Sequence, residues 1–480
     1  MQTFGNYING EWITSGATTE NRNPANTDEI VGLHVKGSAE EMAAAAAAAE
    51  EALPKWAGMA APGRAAILFK AAEILDSHFD SVAADMTREE GKTLPEAKGE
   101  VRRSINILRY FAGEGARMGG HLVPSERDRV HMFAIRKPIG VVGLITPWNF
   151  PSAIPTWKLA PALICGNTVV LKPASAAPIS AYRIVEALHE AGLPKGVLNF
   201  VQGSGGTLGK AMVEAKPLKA VSFTGSVEIG QWLHAEASKR HLRIQLEMGG
   251  KNPTIVLDDC DFNAAVENVA NAAYFSTGQK CTATSRAIVE DGIYDKFVAA
   301  LAERTKKLKV GNGMEAGIDI GPAVDEGALK TIMDYIEIGK QEVGAPLVGG
   351  NRLTGGAYDK GYFVEPTLFA DVTETARIAQ EEIFGPVLAV MRAKDFSDAL
   401  RIANASPFGL SASIQTTNVS RVFDFVYGME AGLLTVNLPS AGVEYQLPFG
   451  GTKDSSFGPK EQGPAALDFY SDYKTIYLKY

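Results

Sequence analysis

The sequence predicts an α/β protein with more than one domain. Its 480 residues exceed the length that one hydrophobic core usually supports. From Gly140 onward, short runs rich in Val, Ile and Leu alternate with segments of helical length. Such alternation indicates a parallel sheet whose strands are connected by right-handed helical crossovers. A second alternating unit begins near Lys251, so we expect two such sheets.

The composition excludes several classes of protein. Charged residues make up 21% and hydrophobic residues 46%, which is ordinary for a globular protein, and the net charge of −8 disfavours a nucleic-acid surface. The chain shows neither a secretory signal nor a run of roughly 18 apolar residues for a membrane helix. Its three cysteines lack CxxC spacing and its seven histidines lack HExxH spacing. We therefore expect a cytoplasmic protein without a metal or a membrane partner.

Local patterns outside the two units predict further elements. Asn9-Gly10 is typical of a tight hairpin, and the SAEE stretch from Ser38 fits a helix capping box. Residues 94–117 predict one long amphipathic helix. Residues 129–138 and the C-terminal KTIYLKY stretch both predict extended strands.

In the first alternating unit, polar residues follow predicted strands. Asn149, Lys172 and Ser226 each come just after such a run. Because ligands bind at the carboxyl ends of parallel strands, this unit is expected to bind a ligand at these positions. The glycine cluster QGSGGTLG, which contains Gly205, has GxGxxxG spacing, so it is weak evidence for phosphate contact and also fits a plain turn.

The stretch FSTGQKCTATSR, residues 275–286, contains the candidate nucleophile Cys281. A thiolate is the reactive form of cysteine, and the neighbouring Lys280 is a positive charge that could favour it. Gly278 allows the backbone to approach a ligand closely. The other two cysteines are expected to be inert, since Cys165 lies in an apolar run and Cys260 lies among three aspartates.

Five further blocks accompany the cysteine stretch in a fixed order: TPWNFP (146–151), LKPAS (171–175), FTGS (223–226), LEMGGKNP (246–253) and EEIFGPV (381–387). Together they resemble the NAD(P)-dependent aldehyde dehydrogenase superfamily, and the resemblance extends over nearly the whole chain. It implies a fold with a Rossmann-type dinucleotide-binding domain, an α/β catalytic domain and a small oligomerisation arm.

The resemblance also implies domain boundaries and an assembly. The cofactor-binding domain would comprise residues 1–120 and 139–249, the catalytic domain residues 250–447, and the oligomerisation arm residues 121–138 and 448–480. In the family, the last strand is expected to pair with the strand near residues 129–138 across subunits. We therefore expect a homodimer or a homotetramer.

Three catalytic roles follow from the resemblance. Cys281 would add to an aldehyde, giving a thiohemiacetal and then a thioester that water hydrolyses. Glu247 would act as the general base. The side-chain amide of Asn149, with the Cys281 backbone N–H, would stabilise the oxyanion.

The cofactor would be NADP or NAD, bound by residues that the resemblance assigns: Ile145, Trp148, Lys172, Ser175, Gly205, Gly225, Ser226, Glu382 and Phe384. An acidic residue at position 175 would bind the ribose hydroxyls and repel a 2′-phosphate. Serine there is neutral, which favours NADP.

The substrate tunnel would be lined by Phe150, Trp157 and Phe449, with Thr282 beside the nucleophile. Several stretches resemble, in detail, dehydrogenases of 2-oxoglutarate semialdehyde (2,5-dioxopentanoate). Some relatives that oxidise acidic semialdehydes carry an arginine where Trp157 stands here. The substrate carboxylate therefore needs another cation, and the candidates are Arg109 and Lys280.

Other functions remain open at this point. The substrate could be another semialdehyde, such as succinate semialdehyde, or a broad range of aliphatic and aromatic aldehydes. A CoA-acylating enzyme would usually lack the equivalent of Glu247. A non-catalytic binding protein of the same fold would be expected to have lost Cys281, Glu247 or Asn149, all of which are present.

Overall fold

The computed structural model describes all residues from 1 to 480. The helices are α1 (Ala39–Gly58), α2 (Ala61–Ser77), α3 (Phe79–Glu90), α4 (Leu94–Glu114), α5 (Ala153–Ile164), α6 (Ile179–Glu190), α7 (Gly205–Glu214), α8 (Val227–Ser238), α9 (Phe262–Tyr274), α10 (Tyr294–Lys306), α11 (Glu326–Glu342), α12 (Arg377–Gln380), α13 (Phe396–Asn404), α14 (Val419–Gly428) and α15 (Gly463–Phe469). The strands are β1 (Thr3–Phe4), β2 (Asn6–Ile8), β3 (Glu11–Ile13), β4 (Thr18–Asn23), β5 (Asn26–Val35), β6 (His121–Val123), β7 (Val130–Pro138), β8 (Val141–Ile145), β9 (Thr168–Lys172), β10 (Leu198–Phe200), β11 (Leu218–Thr224), β12 (Arg243–Glu247), β13 (Asn252–Val256), β14 (Thr284–Glu290), β15 (Thr367–Phe369), β16 (Val387–Ala393), β17 (Phe408–Gly409), β18 (Ser411–Gln415), β19 (Leu433–Val436), β20 (Thr452–Lys453), β21 (Ser456–Phe457) and β22 (Ser471–Lys479).

The first sheet has eight strands in the order β21-β12-β11-β8-β9-β10-β2-β3. Its central strands β12, β11, β8, β9 and β10 are parallel. Every residue of β8 and β9 is buried, as expected for parallel strands covered on both faces. Helices α1 and α7 pack on one face, and α5 and α6 on the other.

The second sheet has six strands in the order β15-β16-β14-β13-β18-β19, all parallel. Helices α9 and α10 contribute to one of its hydrophobic cores, and α11 and α13 to the other. The prediction of two α/β units is therefore confirmed.

A three-stranded antiparallel sheet, β22-β7-β6, extends from these two units. β22 pairs with β7 over nine residue pairs, from Ser471 opposite Pro138 to Lys479 opposite Val130, within the same chain. The expectation that these strands pair across subunits is therefore wrong. α15 lies close to β7, since Arg136 Nη2 donates to Asp468 Oδ1 at 2.7 Å. β22 begins two residues after α15 ends and runs alongside β7.

Part of the C-terminal segment joins the first sheet instead of the arm. β21 pairs antiparallel with β12, with Ser456 opposite Glu247. The proposed division into three domains stays a prediction, and this crossing strand shows where residues 448–480 contact the cofactor-binding sheet.

Two local predictions are confirmed. β2 and β3 form an antiparallel hairpin in which Asn9 and Gly10 both have positive φ, 51° and 87°. Ser38 and Glu41 form the reciprocal capping box of α1. Helix α5 begins at Ala153, where the Glu100 carboxylate accepts the N–H groups of Ser152 and Ala153.

No helix combines the length and the apolar character needed to cross a membrane.

Candidate active site

Four neighbouring parallel strands end at one edge of the first sheet. Their last residues are Ile145 of β8, Lys172 of β9, Thr224 of β11 and Glu247 of β12. The loops that follow carry the polar and glycine residues predicted to bind the cofactor. Parallel strands bring these loops together because all their carboxyl ends share one edge.

The Cys281 loop precedes β14 of the second sheet and follows a left-handed turn. Ser276, Thr277 and Gly278 have φ values of 55°, 57° and 64°. A side-chain carbon at Gly278 would collide with the carbonyl oxygen of Gly385, so glycine is required there. Asn252 Nδ2 donates to the Cys281 carbonyl oxygen at 2.8 Å and holds the end of the loop.

A cavity of about 380 Å³ reaches Cys281 from one side. Its walls contain every predicted tunnel residue except Arg109: Phe150, Trp157, Thr282 and Phe449. The rings of Trp157 and Phe449 lie 5.4 Å apart, centroid to centroid. Charged side chains also line the cavity, namely Lys92, Glu96, Glu100, Arg103 and Lys280.

A second space, a groove of about 240 Å³, reaches Cys281 from the other side. Its walls contain Trp148, Asn149, Gly225, Ser226, Glu382 and Phe384. Cys281 lines both the cavity and the groove, so it lies where the two spaces meet.

The residues of the groove fit a dinucleotide. Glu382 Oε1 accepts the N–H of Gly250 at 2.9 Å, and a side chain at Gly249 would overlap the Glu382 carboxylate. Burial raises the pKa of Glu382 to about 7. The rings of Trp148 and Phe384 pack edge to face at 5.3 Å. Ser226 is the N-cap of α8, whose first N–H groups suit a phosphate.

Three of the predicted cofactor residues lie outside this groove, and a fourth, Ile145, ends β8 behind it. Lys172 Nζ donates to the carbonyl oxygen of Pro173 at 2.8 Å, and burial lowers the pKa of Lys172 to about 8. The exposed Ser175 donates from Oγ to the carbonyl oxygen of Gly203 at 2.8 Å. Gly205 begins α7, in open space.

Glu247 is buried at the end of β12 and lines neither the cavity nor the groove. Ser456 Oγ donates to Glu247 Oε2 at 2.5 Å. Burial raises the pKa of Glu247 well above the ordinary range of a glutamate, and the nearby carboxylate of Glu461 adds to the rise. In this state the carboxylate therefore bonds to Ser456 and makes no hydrogen bond to Cys281.

Burial raises the pKa of the Cys281 thiol to about 12, and the carboxylates of Glu382 and Glu247 contribute to the rise. Lys280, expected to favour the thiolate, does not offset these effects, and burial lowers the pKa of its own ammonium group to about 8. Burial likewise raises the pKa of Cys165 to about 12 and that of Cys260 to about 11. The prediction that Cys165 belongs to the core is confirmed.

A family model described as the aldehyde dehydrogenase family matches residues 12–476. This chain belongs to the aldehyde dehydrogenase family. It is an NAD(P)-dependent aldehyde dehydrogenase, as its sequence blocks predicted.

Characterised relatives share almost the whole length of this aldehyde dehydrogenase. An alpha-ketoglutaric semialdehyde dehydrogenase of Bacillus subtilis (strain 168) is 48% identical over 481 residues, covering 100% of this chain and 99% of the relative. An alpha-ketoglutarate semialdehyde dehydrogenase of Haloferax volcanii is 46% identical, covering 99% of both. A 2,5-dioxopentanoate dehydrogenase of Saccharolobus solfataricus is 43% identical, covering 97% of this chain and 98% of the relative.

Solved structures confirm the aldehyde dehydrogenase fold. Betaine aldehyde dehydrogenase of Staphylococcus aureus in complex with NAD+ superposes with a TM-score of 0.96 at 34% identity, covering 99% of this chain and 94% of that one. An aldehyde dehydrogenase of Bacillus cereus also gives a TM-score of 0.96, at 33% identity, covering 100% of this chain and 97% of that one.

Arg109 does not reach the cavity of this aldehyde dehydrogenase, which corrects its expected role. It lies on the outward face of α4, where its Nη2 donates to Asp76 Oδ2 at 2.9 Å. Arg103, on the same helix, lines the cavity instead. Helical spacing could have revealed this face, because residues 96, 99, 100 and 103 recur at intervals of three and four and all line the cavity.

Two buried ion pairs support the site, and sequence reasoning missed both. Lys158 pairs with Glu461, whose Oε2 also accepts the indole N–H of Trp157 at 2.7 Å. Lys92 Nζ pairs with Glu100 Oε2 at 2.6 Å. The first pair joins side chains from distant parts of the chain, so no local pattern signals it.

Proposed function

We propose that this aldehyde dehydrogenase oxidises 2-oxoglutarate semialdehyde to 2-oxoglutarate with NADP or NAD. The main observation is that Cys281 lies between a cofactor groove and a cavity whose aromatic walls also carry cationic side chains. An apolar tunnel alone would suit neutral aldehydes, whereas a carboxylate in a buried site requires charged partners. The names of the relatives from Bacillus, Haloferax and Saccharolobus support the same substrate.

The first step is addition of Cys281 to the substrate. The Glu247 side chain first rotates away from Ser456 towards Cys281. The sulfur then forms a bond to the aldehyde carbon as the thiol proton passes to Glu247, and the carbonyl oxygen becomes the alkoxide of a thiohemiacetal. Asn149, which lies in the same groove as Cys281, donates its side-chain N–H to that oxygen, together with the Cys281 backbone N–H. One such donor is typically worth about 10²–10³ in rate.

In the second step the thiohemiacetal becomes a thioester on Cys281. Bound NAD(P) supplies the acceptor for the hydride that leaves the substrate carbon. Glu382 and Phe384, which line the groove with Cys281, would hold the nicotinamide there. The alkoxide collapses to the thioester carbonyl, so the carbon is oxidised by two electrons.

Hydrolysis then releases the acid. Glu247 first releases the thiol proton to solvent and then takes a proton from water as the water oxygen adds to the thioester carbon. The sulfur leaves and regains that proton from Glu247. Because Ser456 holds the Glu247 carboxylate in this state, a rotation of the Glu247 side chain brings it to the thioester.

Three further properties belong to the same proposal. The exposed, neutral Ser175 near the cationic Lys172 favours NADP over NAD, since no acidic side chain there repels a 2′-phosphate. The arm strands and their exposed side chains, including Tyr477 and Leu478, support a homodimer or a homotetramer. A nucleophilic thiol and two further free cysteines suit the reducing cytoplasm.

The test measures the absorbance of reduced cofactor with a panel of aldehydes. We expect kcat/KM for 2-oxoglutarate semialdehyde to exceed that for pentanal, a neutral aldehyde of the same length, by at least about tenfold, or about 1.4 kcal/mol. Succinate semialdehyde and an aromatic aldehyde complete the panel. A higher kcat/KM for pentanal or for the aromatic aldehyde would contradict the proposed substrate.

Cys281→Ala is the control for this panel, because Cys281 supplies the proposed nucleophile. The variant should lose activity on every aldehyde and still bind NADP. Activity near the wild-type level would rule out the covalent route.

A further inference from the structure

The cavity contains more charged groups than aldehyde chemistry requires. Lys92 is already neutralised, since its Nζ pairs with Glu100 Oε2 at 2.6 Å and donates to the Asn149 carbonyl oxygen at 2.7 Å. Glu96 accepts the backbone N–H of Ser276 at 2.7 Å and is also engaged by Thr93. Arg103 and Lys280 therefore remain as the cations that could receive an anionic substrate group.

Arg103 has donors without acceptors. Its Nε is buried and has no hydrogen-bond partner. Its one side-chain hydrogen bond, from Nη2 to Gln462 Oε1, is long at 3.3 Å. An unsatisfied buried donor is unfavourable, and a guanidinium group binds a carboxylate through two parallel hydrogen bonds.

The position of Arg103 also suits recognition of an acid. The guanidinium carbon lies 5.5 Å from the centre of the Trp157 ring, which forms part of the same cavity wall. Contact with this ring restricts the arginine side chain, so less freedom is lost when a carboxylate binds. Trp157 itself is held by its bond to Glu461 at 2.7 Å.

We propose that Arg103 binds the substrate carboxylate in this cavity, while the aldehyde at the other end of the substrate meets Cys281. This inference rests on the proposed function, and it replaces the Arg109 expected from sequence with a residue on another face of α4. Lys280 is the weaker candidate, since it makes a long bond of 3.4 Å to the Asn271 carbonyl oxygen and burial favours its neutral form, with a pKa of about 8.

The experiment compares Arg103→Met with Arg103→Lys, Lys280→Met and the matched control Arg109→Met. Arg109 lies on the same helix, on a face turned away by about 120°, and pairs with Asp76. For each protein, kcat and KM are measured with 2-oxoglutarate semialdehyde and with pentanal. Thermal unfolding and NADP binding establish that each variant is folded.

We expect Arg103→Met to lower the ratio of kcat/KM for the acid to that for pentanal by about tenfold to a hundredfold, mainly through KM for the acid. Arg103→Lys should restore part of the ratio because it keeps the charge, and Arg109→Met should leave the ratio unchanged. If Arg103→Met keeps the wild-type ratio, the inference is wrong, and a fall in Lys280→Met would assign the carboxylate to Lys280. A wild-type enzyme that does not favour the acid would instead overturn the proposed substrate.

Discussion

Two glutamates beside Cys281 have pKa values far above those of exposed carboxylates. Burial is the main cause for both Glu247 and Glu382. Burial and these two carboxylates also keep the Cys281 thiol protonated at neutral pH. Without substrate, the Cys281 thiol is therefore protonated, and Glu247 and Glu382 keep their protons to a higher pH than exposed carboxylates do.

This electrostatic setting predicts a pH dependence. Glu247 accepts a proton only as a carboxylate, and its raised pKa moves that form from acidic pH into the neutral range. We expect kcat/KM to rise as pH increases through neutrality, and Glu247→Gln to flatten this rise and to lower turnover by about 10²–10⁴. Rate measurements from pH 6 upward with both proteins check this, and an unchanged profile in the variant would assign proton transfer to another group.

We expect one exposed residue, Ser175, to influence the preference between NADP and NAD. Ser175 places a neutral hydroxyl where an acid would repel the 2′-phosphate of NADP. We expect NADP to be used at least as well as NAD, and Ser175→Glu to shift preference towards NAD. The measurement is kcat/KM for both cofactors in both proteins. A strong wild-type preference for NAD would contradict the charge argument.

Helix α4 and the segment before it connect the substrate cavity to the proposed oxyanion site. Glu100 Oε1 accepts the N–H groups of Ser152 and Ala153 at 2.8 and 3.0 Å, while its Oε2 pairs with Lys92. Lys92 in turn donates to the carbonyl oxygen of Asn149. One buried ion pair therefore holds the whole loop that carries Asn149 and begins α5.

We expect Glu100→Gln to destabilise the protein by about 3–5 kcal/mol, because removal of this charge leaves the buried Lys92 with only the Glu90 carboxylate, at 3.9 Å. It should also lower kcat more than it raises KM, since Asn149 loses its position. Lys98→Met is the matched control: Lys98 belongs to the same helix but forms an exposed pair with Asp80. Chemical denaturation and steady-state kinetics measure both effects, and equal behaviour of the two variants would exclude a positioning role.

Helices, strands and turns that depend on neighbouring residues could be predicted from the sequence, whereas the contacts between these elements could not. The hairpin at Asn9-Gly10, the Ser38 capping box and the buried strands β8 and β9 depend on neighbours in the chain. Arg109 was expected near the substrate, but it lies outside the cavity and pairs with Asp76. Helical spacing groups residues 96, 99, 100 and 103 on one face of α4, and the packing of the helix turns that face to the cavity.

At the scale of the whole molecule, the sequence blocks predicted which residues would lie together but not how the strands of the arm would pair. Cys281, Asn149, Glu382 and Phe384 come from distant segments and line one groove. The pairing of β22 with β7 within one chain was not predicted, because two exposed strands carry no signal of which copy they join. The three strands of the arm sheet therefore all come from one chain.

The pairing of β21 with β12 in the first sheet can form only late in the synthesis of the chain. Glu247 and Ser456 are 209 residues apart in the chain, so a ribosome adding about 5–20 residues each second needs roughly 10–40 s between them. Cys281 is made early in that interval, whereas β21, the edge strand whose Ser456 bonds Glu247, is made only at its end. A nascent chain therefore contains Cys281 before the strand that bonds Glu247 exists, and the hydrogen bond from Ser456 to Glu247 forms only after the C-terminal segment has been made.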